Sequence, residues 1–144
     1  MAPNEVFYVL LGLGSIGLIA WCNRHTFRGG GVSGIEAAYH AIGLAALVIG
    51  WYFNFQYFRQ YGDEVGWLHW TRLLFVNPAS ASGGQDLIIA NLILFPVWTI
   101  LDGRRSGMRA SWLYFPMSLL TSFAFGMALF LAMQERQRRF KEMP

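Results

Sequence analysis

The sequence predicts an all-α membrane protein, with four transmembrane helices and one short interfacial amphipathic helix in a single domain of 144 residues. Three observations carry this expectation. Only 13% of the residues are charged against 55% hydrophobic, whereas a soluble domain carries roughly 25% charged residues. The apolar residues are gathered into blocks, and the mean hydropathy is +0.37. The basic residues stand beside those blocks, where lysine and arginine meet lipid headgroups.

The first expected span is 6–22, apolar until Asn23-Arg24-His25. At 1.5 Å per residue it falls slightly short of a bilayer core of about 30 Å, so its flanking polar residues sit near the interfaces. The N-terminus Met1-Ala2-Pro3-Asn4-Glu5 lacks the basic residues of a signal peptide, so this segment is expected to be retained. The glycine-rich stretch from Arg28 to Gly34 breaks the helix.

The second span, 35–58, ends in an aromatic cluster that includes Trp51, Tyr52, Tyr57 and Tyr61, residues that favour the headgroup level. Residues 64–76 are too short and too polar to cross, and they read as the interfacial helix. Asn77-Pro78 is expected to end it, because proline pushes the residue before it out of the helical region. Ala79 to Gly84 reads as a loop, and Asp86 as the cap of the third span, 87–101, with Pro96 as the source of a kink. A basic turn, Asp102 to Arg109, leads to the fourth span, 111–133, and Gln134 to Pro144 form a solvated tail.

Four spans put both termini on one side of the membrane. Arg24, Arg28, Arg104, Arg105 and Arg109 then face Arg59, Arg72, Arg136, Arg138, Arg139 and Lys141 across the bilayer, an even balance. Short arginine-dense loops favour non-cytoplasmic termini.

The formal charge of +3 has no aromatic-rich basic loop behind it, so nucleic acid is not an expected partner. The single cysteine, Cys22, excludes an intrachain disulfide and a thiolate metal site. Gly12-Leu-Gly14-Ser-Ile-Gly17 spells a dinucleotide fingerprint but lies inside an apolar span. Gly14 and Gly17 instead offer a smooth face to a neighbouring helix.

The most informative stripe is on the second span. Glu36, His40, Gly43, Leu47, Gly50 and Asn54 share one helix face. Polar groups on such a stripe point at protein, a cofactor or a cavity. His40 is the candidate axial ligand for haem or chlorophyll, with Glu36 behind it. The competing reading is a hydrogen-bonded interhelical pair. Asn91, Ser118 and Ser122 are expected to serve helix packing. No catalytic triad, zinc site or phosphate cradle appears, nor any sign of a broken helix pair.

From about Leu47 onward the chain resembles a bacterial membrane family, domain of unknown function 2834. The resemblance rests on Leu74-Phe75-Val76-Asn77-Pro78-Ala79-Ser80-Ala81, on Asp86, on Asp102 to Arg109 with Trp112, and on Ala128 to Glu135. Ala128 stands where the family often has proline, and Gln134-Glu135 where it has Arg-Glu. The resemblance implies a multi-span bacterial membrane protein with no established activity, and it leaves the first span and the His40 stripe largely outside.

Three functions follow as expectations. The leading one is a non-catalytic accessory or scaffold subunit of a larger membrane assembly, with lipids and other membrane subunits as partners. The second is a pigment- or haem-binding subunit of a photosynthetic or respiratory complex, taking chlorophyll, carotenoid or haem. The third is a small transporter or membrane enzyme working at Glu36, Asn54, Asp86 and Asn91.

Overall fold

The computed structural model describes residues 3–28 and 31–143, with side chains from Val6 onward. The described residues form six helices: α1 (Pro3–Cys22), α2 (Gly34–Tyr61), α3 (Trp67–Leu73), α4 (Pro78–Ser106), α5 (Tyr114–Leu120) and α6 (Phe123–Lys141). The segment Gly34–Glu64, which contains α2, and α4 are each long and apolar enough to cross a membrane, and Val6–Cys22 is a shorter apolar stretch.

The start of α4 differs from the sequence expectation. Asn77 is extended and its side chain accepts from the Ser80 amide, while Pro78 occupies the first turn. Proline excludes its predecessor from the helix, and that extended backbone is what an N-cap requires. Asn77-Pro78 therefore opens α4, Ala79 to Gly84 form its first turns, and the helix expected over 64–76 is confined to α3. Asp86, expected as the cap, lies exposed in mid-helix, accepting from Gln85. Further along, Pro96 has no N–H to offer the Leu92 carbonyl. The helix absorbs the defect as a π-turn over Ala90–Leu94.

The larger departure concerns 111–133, expected as a fourth span. The helix stops at Leu120, Ser122 is extended, and α6 starts afresh with the Ser122 side chain accepting from the Phe125 amide. The chain then turns back. Serine 118 packs against Gly126, where an added Cβ would meet the Ser118 Cβ at 2.8 Å. Downstream, Gln134 reaches Asp102 and Ser106, Arg136 reaches Glu36, and Arg139 reaches Glu36 and Gly31. Helices α5 and α6 thus form a hairpin that enters from the arginine-rich end, where α1 and α4 finish and α2 begins, and returns to it.

Its tip reaches only partway along the neighbours, beside Gly12 of α1, Ala46 and Gly50 of α2, and Asn91 of α4. The ten residues 111–120 rise only ~15 Å, about half a bilayer core. The start of α1 lies at the other, aromatic end, where Tyr8 stacks on Phe58. The start of α1 and the end of α6 therefore lie at opposite ends of the described molecule, contrary to the expectation for four crossings.

The core is built on the hairpin. Tyr114, Met117, Phe130 and Ala132 are fully buried, with edge-on ring contacts from Tyr114 and Trp98 to Phe130 and from Phe95 to Phe123. Polar groups share this interior: Asn23, Thr26, Glu36, Thr99, Ser111, Ser118, Thr121, Arg136 and Gln137 are buried. Large apolar side chains cover the outside, among them Leu10, Leu44, Val48, Phe53, Leu68 and Leu94, each at least 60% exposed.

Candidate functional site

Apart from the exposed His40, the polar stripe of α2 turns inward, and it meets α6 along most of its length. An added Cβ on Gly43 would touch Ala128 at 3.3 Å, and one on Gly50 would touch Ser122 at 3.0 Å. These glycines let the hairpin lie against α2. On α1 the close approach falls at Gly12, where an added Cβ would meet Thr121 at 3.2 Å, whereas Gly14 and Gly17 have nothing within 4 Å. The packing role expected of Gly14 and Gly17 is therefore taken by Gly12 within this chain.

At the arginine-rich end of the stripe, Glu36 is fully buried. One of its carboxylate oxygens accepts from Arg136 Nε and the other from Arg139 Nη1 at 3.1 Å. Arg139 also donates to the Gly31 carbonyl, and the Arg136 guanidinium lies 4.5 Å from the Phe27 ring centroid. His40 is 44% exposed with Nε2 at 3.6 Å from Glu36, beyond hydrogen-bond distance. Glu36 thus anchors two arginines of a tail expected to be solvated, in place of orienting His40. Among the described residues no three His, Cys, Asp or Glu side chains converge as a metal site.

Because the hairpin fills only the arginine-rich half of the bundle, it leaves a cavity of about 390 Å³ in the other half. The tip, residues 118–124, forms one end. Walls come from Tyr8 of α1, Asn54, Tyr57 and Phe58 of α2, and Leu87 and Asn91 of α4. Val65, Gly66, Trp67 and Trp70 close the far end. A small staple holds that closure. The Tyr57 hydroxyl accepts from the Gly66 amide at 3.2 Å and pairs with His69 Nδ1 at 2.9 Å. His69 Nε2 lies 3.8 Å from the exposed Glu64 carboxylate.

The polar groups of the cavity gather near the tip. Ser118 Oγ lies 2.7 Å from the Phe115 carbonyl and 2.9 Å from the Asn91 carboxamide, and Asn91 sits in the π-turn that Pro96 forces on α4. Ser122 caps α6, so the amides of its first turn and the positive end of its dipole face the tip. Asn54 adds a second carboxamide to the lining. No Asp, Glu, Lys, Arg or His lines the cavity.

The fold therefore brings together Asn54, Asn91, Ser118 and Ser122, all expected as packing residues, with Asn54 and Asn91 named also for a transporter or membrane enzyme. It separates them from Glu36, at the opposite end of the α2 stripe, and from Asp86, outside the lining. Sequence reasoning missed the helix break at Thr121-Ser122, the Arg136 and Arg139 contacts and the Tyr57–His69 staple. Only the break left a local signal, a hydroxyl pair three residues before a buried phenylalanine.

A family model described as protein of unknown function DUF2834 matches residues 38–136. The match starts earlier than the sequence resemblance suggested, taking in His40 and Gly43, and it covers the hairpin as far as Arg136. No curated protein and no solved structure matches the chain.

Proposed function

The chain belongs to the DUF2834 family, and from that premise we propose that it is an integral membrane protein holding a small uncharged molecule in the cavity beneath the hairpin tip. The carrying observation is the break at Thr121-Ser122, which ends a helix pair partway through the bundle and directly over that cavity. Non-helical backbone at membrane depth is tolerated only where it is buried in protein or lines a cavity. Broken helices at the midplane are how membrane proteins aim backbone dipoles at a bound solute.

The distribution of side chains supports a bilayer as solvent. Polar groups are buried and large apolar ones exposed, the reverse of what water would stabilise. In this reading α1, α2 and α4 cross, and the hairpin enters and leaves on one side. That changes the charge balance. Arg24, Arg28, Arg104, Arg105, Arg109, Arg136, Arg138, Arg139 and Lys141 gather at one end, leaving Arg59 and Arg72 at the other. The rich end is cytoplasmic by the positive-inside rule, with the N-terminus outside and the C-terminus inside.

The test is mass spectrometry of small molecules retained after mild detergent extraction from the native membrane. Ala124→Trp, which fills the cavity from an exposed lining position, is expected to abolish a retention that the parent protein shows. Equal retention by both proteins, or none by the parent, overturns the proposal.

A second reading has its own observation. The Gly14 and Gly17 strip of α1 is open, beside exposed Leu10 and Trp21. A helix from another subunit seated there makes the chain an accessory component of a larger membrane assembly. A crosslinker placed at residue 14 that captures no neighbouring protein in native membranes removes that reading.

A further inference from the structure

The chemistry of the cavity narrows its occupant, and this step rests on the binding reading above. We infer that the cavity takes a flat, lipid-soluble ring bearing carbonyl oxygens, the quinone class. Charge is the first discriminator. With no ionisable side chain other than tyrosine in the lining, a carboxylate, phosphate or ammonium group would enter without a counter-ion, at large desolvation cost. Phospholipid headgroups, fatty-acid carboxylates and amines are disfavoured on that ground.

Hydrogen-bond polarity is the second. Groups able to donate lie on more than one side. The first-turn amides of α6 lie at the tip, and Asn91 of α4 brings a carboxamide beside Ser118. Asn54 adds a second carboxamide from a different helix. Donors on two sides of one cavity match acceptor oxygens on two sides of one ring. A neutral alcohol presents a single oxygen at one end and leaves one side unpaired.

Shape is the third. Tyr8, Phe58, Trp67, Trp70 and Phe123 give the walls ring faces and edges suited to a planar body. A volume near 390 Å³ is at the lower end of small-molecule pockets and fits a headgroup whose tail remains in lipid.

Trp67 and Trp70 make the test direct, because a quinone bound against them quenches their fluorescence. Purified protein is titrated with a decyl-chain benzoquinone. Saturable quenching is expected, lost in Trp67→Phe/Trp70→Phe and weakened tenfold or more in both Asn91→Leu and Asn54→Leu. Gly14→Ala, which meets open space, should leave it unchanged. Non-saturating quenching, or affinity equal to the parent's in either asparagine variant, overturns the inference. Retained molecules separate its failure from that of the parent reading. A non-quinone compound expelled by Ala124→Trp sinks the quinone class and leaves the binding cavity standing. Absence of both retention and saturable quenching overturns the two together.

Discussion

Glu36 has no exposed surface and lies between two guanidinium groups. Removing one partner of such a cluster strands the others in a low-dielectric interior, at a cost of about 3–5 kcal/mol. Glu36→Gln is therefore expected to lower the melting temperature in detergent by several degrees. Arg139→Gln should cost less, because that side chain is 30% exposed. The double replacement Glu36→Leu/Arg136→Leu should recover most of the loss, since the remaining Arg139 is 30% exposed and still donates to the Gly31 carbonyl. Glycines offer a sharper contrast. Gly50→Leu drives its side chain into Ser122, whereas Gly14→Leu enters open space. Only the first is expected to destabilise the fold, by about 1–3 kcal/mol.

Among the elements, the hairpin depends on how α6 begins. Ser122 supplies both the cap to the Phe125 amide and a 3.5 Å contact to the Ala46 carbonyl. Ser122→Ala should cost about 1 kcal/mol, read as a lower melting temperature, and Ser122→Asn, another capping residue, should restore much of it. In α4 the π-turn and Pro96 form one device. Pro96→Ala supplies the missing N–H, allowing a regular helix through Ala90–Leu94 and turning Asn91 away from Ser118. The expected outcome is an unchanged or higher melting temperature together with loss of the retained molecule. Loss of stability with retention intact would separate the π-turn from binding.

For the molecule as a whole, the hairpin decides topology. A single crossing over 111–133 puts both termini on one side with balanced charge. A hairpin puts them on opposite sides and gathers nine of the eleven basic residues at one end. In Cys22→Ser protein, single cysteines added at residues 4 and 142 and probed with a membrane-impermeant thiol reagent in intact cells distinguish the two. Labelling at 4 alone is expected. Labelling at both, or at neither, means four crossings.

The helical class, the apolar helices over 6–22 and from near residue 35, and the inward stripe of α2 were legible because they follow from helical period and from the apolar density of consecutive residues. Asn54, Asn91, Ser118 and Ser122 were visible as inward polar positions for the same reason. Their convergence on one cavity was not, because it depends on where a hairpin tip stops against three other helices. The partners of Glu36 were equally hidden. Arg136 and Arg139 lie about a hundred residues away, and only the reversal at Thr121-Ser122 carries them back. That reversal turns on one cap and a few glycine contacts with α1 and α2, so composition along 111–133 reads as a continuous apolar run. Local periodicity determined which faces are buried. Tertiary packing decided which of them meet, and so where the chain leaves room for a ligand.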